Sequence, residues 1–255
     1  MNRLSFARHQ QLLVRSLQLT HELDVRISND MNDLVRTYAA LSETGYVQLP
    51  FKVEKCNEVP SSHFWVSLRH GSQTIALAAV RVLSNGPRAQ TCASFFADEG
   101  LYPRQGTKRE AYLEERGPML APHDRFAYLG AGWVHPKWRG RNLAGWISRI
   151  AYDEAIVRTR GMLAMLSAMT FEPMFKAGLN MRASCWHHTE AELILDGYLA
   201  ALDRDLRMYL SHNTMADHSA LYNKELSYLD KGMPVPWLRG RERTPARVII
   251  SALRR

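Results

Sequence analysis

The chain has 255 residues, 46% of them hydrophobic and 23% charged, with a formal net charge of +8. That is ordinary globular composition, long enough to bury a sizeable core, and it excludes a disordered or low-complexity protein. The basic balance favours anionic partners without choosing among acidic cofactors, acidic proteins, nucleic acid and anionic membrane.

Met1 to Thr20 carries Arg3, Arg8 and Arg15 and no acidic residue, while Leu12, Leu13 and Leu17 predict an amphipathic helix packed on its own domain. The segment lacks the compact apolar core and small-residue cleavage site of a signal peptide. His21 to Ile27 alternates as a short strand. Ser28, Asn29 and Asp30 then supply N-cap candidates for a helix through Met31, Leu34, Val35, Tyr38 and Leu41 to Gly45. Phe64 to Leu68 and Thr74 to Leu83 predict two strands joined by a hairpin turn at His70-Gly71-Ser72.

Residues 84–124 are less regular: Thr91 to Ala97 predicts a strand and Lys108 to Glu115 a helix. Phe126 to Val134 is a mostly apolar strand, ended by His135-Pro136 because proline has no N–H for a ladder and restricts its predecessor. After a short basic loop, Leu143, Trp146, Ile147, Ile150 and Ala151 give one apolar face to a helix reaching about Arg160. Met162 to Met169 suits a buried strand, and Glu172 to Ala177 a short helix ending at Gly178. Ala183 to His188 and Leu206 to His212 predict a last strand pair, joined by a partly helical Glu190 to Ala201. Beyond Asn213 the chain predicts a helix through Leu221 to Leu229, then Pro234, Pro236 and a strongly basic end.

The stretch from Arg125 to Ile156 carries the chemistry. A helix that opens in a small-residue turn presents backbone N–H groups with no intrahelical partner, and the positive end of its macrodipole adds to them. Together they form a phosphate site. Arg139 and Arg141 add charge beside it, and Gly140 lets an anion approach the backbone. A pyrophosphate fits such a turn. Gly130, Ala131 and Gly132 predict a β-bulge in the strand before it, since strand glycines often mark a bulge or a close backbone approach.

The run from Val134 to Ala144, VHPKWRGRNLA, resembles the acyl-CoA-binding motif of the GCN5-related N-acetyltransferases. That motif is an apolar strand, a V-x-P, then Arg/Gln-x-x-Gly-x-Gly/Ala opening a helix. Arg139 matches the leading Arg/Gln and Ala144 the closing Gly/Ala, while Asn142 stands at the central glycine; asparagine tolerates the positive φ such a turn needs. The β-α-β-β start followed by β-α is also the family's layout. The resemblance covers residues 21–212, with 84–124 as an insertion, 1–20 as an N-terminal amphipathic helix and 213–255 as a basic C-terminal extension. It implies the α/β (α+β) acyl-CoA N-acyltransferase fold, a mixed central sheet flanked by helices.

The resemblance also implies an activity: transfer of an acyl group, chiefly acetyl, from acetyl-CoA or another acyl-CoA to an amine by direct attack in a ternary complex. The CoA-binding residues would be Gly132, Trp133, Val134, Arg139, Gly140, Arg141, Asn142, Leu143 and Ala144. The tyrosine that relatives carry four residues before the glycine of Gly178 is Met174 here, which cannot donate a proton. His135, just after the strand, is then the candidate base, with His123 and Asp124 just before the strand, and Tyr128, Cys185 and His187 are the candidate acids. Cys185 and His187 share a strand face but lack further ligands at metal-binding spacing, so no metal is expected. Cys56, Cys92 and Cys185 form no C-x-x-C, so a reducing cytoplasm is the expected compartment.

Two other readings stay open. One is a long-chain N-acyltransferase using acyl-CoA or an acyl carrier protein, with the apolar insertion (Phe95, Phe96, Leu101, Tyr102, Leu113, Met119, Leu120) walling a tunnel. The other is a catalytically silent CoA-binding or interaction module. No nucleic-acid motif is present, no apolar run approaches a membrane span, and a homodimer remains open.

Overall fold

The strands are β1 (Asp24–Ser28), β2 (His63–His70), β3 (Gln73–Ser84), β4 (Gln90–Thr91), β5 (Met119–Leu120), β6 (Arg125–Val134), β7 (Met165–Phe171), β8 (Ala191–Leu199) and β9 (Arg204–Thr214). They come from a computed structural model that describes residues 3–42, 49–53, 63–98, 113, 115–172, 191–199, 204–233 and 235–238. Seven strands form one sheet in the order β1-β2-β3-β6-β7-β9-β8, while β4 and β5 pair apart from it. Every neighbouring pair in the large sheet is antiparallel except β6 and β7. A parallel pair needs a crossover, which here is the helix α4 (Leu143–Arg158). This mixed sheet, with one parallel pair, a crossover helix and helices on its faces, is the architecture that the resemblance implies.

Helices cover both faces. On one lie α1 (Arg3–His21), α4 and α5 (Met215–Leu229), whose Phe6, Leu13, Leu17, Trp146, Ile147, Ile150 and Tyr222 join Phe64, Val66, Val80 and Ala127 of the sheet in one core. On the other lie α2 (Met31–Leu41) and α3 (Cys92–Asp98), packing Leu34, Phe95 and Phe96 with Phe51 against Trp65, Phe126 and Tyr128. Each such side chain taken out of water contributes about 1.5–3 kcal/mol.

Local chemistry sets the element ends. The β2–β3 hairpin turns at Gly71, whose φ of +57° suits glycine, and the carboxylate of Asp30 caps α2 by accepting from Asp33 N. Thr214 and Asp217 form a reciprocal capping box at the start of α5.

Two expectations are corrected. Thr91 to Ala97 is not a strand beyond Thr91: the Thr91 hydroxyl accepts from Ser94 N at 3.1 Å, and the apolar residues after it face the core from a short helix. The span 190–201 is not helical where it is described, for Ala191–Leu199 is an edge strand paired along β9, and β7 and this strand, not Ala183 to His188, are the partners of Leu206 to His212. Its Ala, Glu and Leu residues favour a helix in isolation, but sheet pairing and the burial of Ile194 and Leu195 override that preference. Ala183 to His188, Met174 and most of Lys108 to Glu115 lie outside the described residues.

Candidate functional site

The pivot of the site is a kink in β6. Opposite β3, Ala79 pairs with Gly130 and Leu77 with Trp133, so three steps along β6 answer two along β3. One extra residue is accommodated as a bulge, and Ala131 takes a φ of +49° to do so. The slip swaps the faces of the strand. Phe126 and Tyr128 share one core with Ala131 and Trp133, while Ala127, Leu129 and Val134 pack on the other. On its opposite side β6 pairs with β7 only from Phe126↔Met165 to Leu129↔Ala168. Beyond that point the two parallel strands are no longer paired, so residues 130–134 make no ladder to β7.

The chain then turns sharply into α4. Pro136–Trp138 forms a 3-10 turn, and His135 caps it by accepting from Lys137 N through Nδ1 at 3.2 Å. Gly140 has a φ of +88°, and a Cβ built there would meet nothing within 4 Å. Asn142 sits in the left-handed region at φ 55° and ψ 29°, as expected for the residue replacing a turn glycine. Its side chain makes no capping bond to the helix, and the first turn of α4 holds no acidic residue. The N-terminus of a sixteen-residue helix therefore points its donors into an exposed basic turn. Arg139 Nε donates to Val134 O at 3.3 Å, and the Arg141 guanidinium lies 4.2 Å over the Trp138 ring. The His70 ring meets Trp138 at 5.5 Å. Arg141 reinforces burial in holding the His21 pKa below its ordinary value.

Behind this turn α4 is anchored by charge. Arg149 and Asp153 are fully buried on α4. His9 of α1 bridges two carboxylates, with Nδ1 2.6 Å from Asp153 Oδ2 and Nε2 3.0 Å from Glu225 Oε2. Arg149 meets Glu225 Oε1 at 3.1 Å and faces His218 Nδ1 at 3.4 Å. Burial alone would depress the His9 pKa, but Asp153 and Glu225 outweigh it and raise it to about 9. Burial, aided by Arg149, holds His218 below its ordinary value. Two cations thus offset two carboxylates, a matched set that the interior tolerates.

The structure brings Gly132, Trp133, Val134, Arg139, Gly140, Arg141, Asn142, Leu143 and Ala144 into one continuous strand-turn-helix path. The proton-transfer candidates are not gathered so neatly. Tyr128 is fully buried, with its ring stacked on Phe51 at 5.8 Å and near Phe96 at 5.6 Å. His135 is partly exposed at the end of β6, and its Nδ1 accepts from Lys137 N. His123 and Asp124 lie at the far end of β6 from the bulge, and Asp124 Oδ2 accepts from Ala121 N. Cys185 and His187 lie outside the described residues. Among the described residues no cluster of three His, Cys, Asp or Glu side chains could hold a metal ion, and no helix is long and apolar enough to cross a membrane.

No family model matches the chain, and no curated protein sequence matches it. Solved structures do. Arabidopsis thaliana NAA60 in complex with acetyl-CoA is 11% identical, over 76% of this chain and 99% of that one, with a TM-score of 0.45. The aminoglycoside acetyltransferase AAC(6')-Ib, in complex with coenzyme A and kanamycin, is 10% identical over 78% and 98%, with a TM-score of 0.43. The GNAT domain of S. lividans PAT is 15% identical over 74% and 89%, with a TM-score of 0.37.

Proposed function

We propose that this protein is an acyl-CoA-dependent N-acyltransferase that moves a short acyl group, acetyl first, to an amine by direct attack in a ternary complex. The observation that carries the reading is the pairing of two features on one path. β6 is bulged at Ala131 and is no longer paired with β7 there, and it runs directly into a left-handed, basic turn at the N-terminus of α4. The turn from Arg139 to Ala144 would hold the pyrophosphate through backbone N–H groups and the charges of Arg139 and Arg141. The backbone of Gly132, Trp133 and Val134 would run beside the pantetheine, placing the thioester carbonyl near the bulge. Transfer then requires a neutral amine, a polarised carbonyl and a protonated leaving thiolate. His135, the proposed proton carrier, stands where the strand meets the turn.

A short acyl group is favoured over a long one by the insertion. Of the insertion's apolar residues that are described, Phe95, Phe96 and Leu120 are buried in the core beside Phe126 and Tyr128, while Leu113 and Met119 are exposed, which supports the shorter group. The amine would approach where β6 and β7 are no longer paired, and a cytoplasmic location is proposed with this activity. The test is release of free thiol from acetyl-CoA, followed with the purified protein across a panel of amines that includes aminoglycosides, polyamines and peptide N-termini. Amine-dependent thiol release supports the reading. Tight acetyl-CoA binding with no release from any amine would favour a silent binding module.

A further inference from the structure

We infer that residues 235–238 are a positioning clamp for the anion-binding turn, acting through Asn142 from below and through Glu225 from behind. The inference rests on the reading of that turn as the CoA pyrophosphate site. Asn142 is the hinge of the turn, yet its amide does not cap α4; Nδ2 donates instead to the carbonyl oxygen of Trp237 at 2.9 Å, 95 residues away in sequence. Trp237 is itself held. Its indole Nε1 donates to Glu225 Oε1 at 2.8 Å, the Lys224 ammonium lies 4.9 Å over its ring, and the Tyr228 ring meets it edge-on at 5.7 Å. Val235 and Leu238 on either side are fully buried.

Glu225 closes the circuit, because the oxygen that receives the indole N–H also meets Arg149, two turns into α4. The crossover helix is therefore gripped at its cap and at its interior by one C-terminal segment. A turn whose donors are already aimed binds an anion without first losing conformational freedom, so a clamp on Asn142 raises affinity for phosphate without touching it. Trp237 and Glu225 are in this sense positioning residues for the cofactor.

The test measures acetyl-CoA affinity calorimetrically in the full chain and in Asn142→Gly, Trp237→Phe, the double variant and Gly140→Asp. Glycine keeps the left-handed turn at no steric cost and removes only the amide donor. Phenylalanine keeps an aromatic ring at the position and removes the indole N–H together with the second ring. Each single variant should bind acetyl-CoA roughly tenfold more weakly, the scale of one lost hydrogen bond. The double should be no weaker than the weaker single, because both act through one contact. A general loss of stability would multiply the two effects instead, and that result overturns the clamp. If Gly140→Asp loses affinity while both singles keep the native value, the clamp is wrong and the pyrophosphate site stands. If Gly140→Asp keeps it too, the site itself is misassigned and the clamp falls with it. Should Trp237→Phe not fold, native affinity in Asn142→Gly alone overturns the inference.

Discussion

Replacing His9 by glutamine should change how the stability of this protein depends on pH as well as its size. Both ring nitrogens of His9 face buried carboxylates, and its pKa is raised from 6.5 to about 9. A group raised in the folded state stabilises fully below its unfolded pKa. That contribution is lost as pH climbs from about 6.5 through about 9. The interval corresponds to about 3 kcal/mol, falling by about 1.4 kcal/mol per pH unit. His218, held low by burial, has the opposite sign: folding must keep it neutral, which costs stability below about pH 6.5. Burial would raise the Asp153 and Glu225 carboxyls, but His9 and Arg149 respectively hold them below their ordinary range. Their contribution is present above the unfolded carboxyl range and lost only in stronger acid. The cluster as a whole is therefore most stabilising near pH 6.5. Urea unfolding of the native chain at pH 6.5, 7.5 and 8.5 should show a loss of about 2 kcal/mol across the series, the remainder following above pH 8.5. His9→Gln, leaving two carboxylates with one cation, should cost about 3–5 kcal/mol at pH 6.5, roughly 10 °C in melting temperature, and should flatten that alkaline slope. Equal slopes in the two proteins would refute the ionic account of the cluster.

Decanoyl-CoA should bind no more tightly than acetyl-CoA at equal ionic strength, because Phe95, Phe96 and Leu120 are committed to the core. Each buried methylene would otherwise add about 0.8 kcal/mol, so binding a hundredfold tighter would promote the long-chain enzyme. Met174→Tyr should leave turnover within a few-fold of native in a thiol-release assay, since on the proposed activity the leaving thiolate is already protonated by another route. Activity that appears only on that substitution would make the native protein a silent module.

The strand-turn-helix from Arg125 to Arg158 was legible because every signal in it is local. An apolar run, a proline, glycine and asparagine in a basic turn and a 3.6-residue period need no distant partner. The bulge was legible for the same reason, from Gly130-Ala131-Gly132. Ala191–Leu199 was misread because its residues prefer a helix and only pairing with β9 makes them a strand. Cys92 to Ala97 read as strand, although the Thr91 hydroxyl ahead of those apolar side chains is also a helix-start signal. The buried charges were invisible as a set, for His9, Arg149, Asp153, His218 and Glu225 come from three helices spread along the chain. One clue was present: Arg149 and Asp153 fall four apart among Trp146, Ile150 and Tyr152, where a solvated helix face would not place them. The tie from Trp237 to Asn142 left no sequence signal, because its acceptor is a backbone carbonyl.

Gly140 offers the sharpest test of the proposed cofactor site. Its φ of +88° makes any side chain strained there, yet a Cβ would meet nothing within 4 Å, so asparagine and aspartate carry the same strain and nearly the same shape. They differ in charge. Acetyl-CoA should be titrated calorimetrically into the native protein, Gly140→Asn and Gly140→Asp at one ionic strength. Gly140→Asp should bind at least roughly tenfold more weakly than Gly140→Asn, the cost of setting a carboxylate beside the pyrophosphate. Equal affinity in the two variants, both folded, would contradict the assignment of the 139–144 turn to the pyrophosphate of CoA.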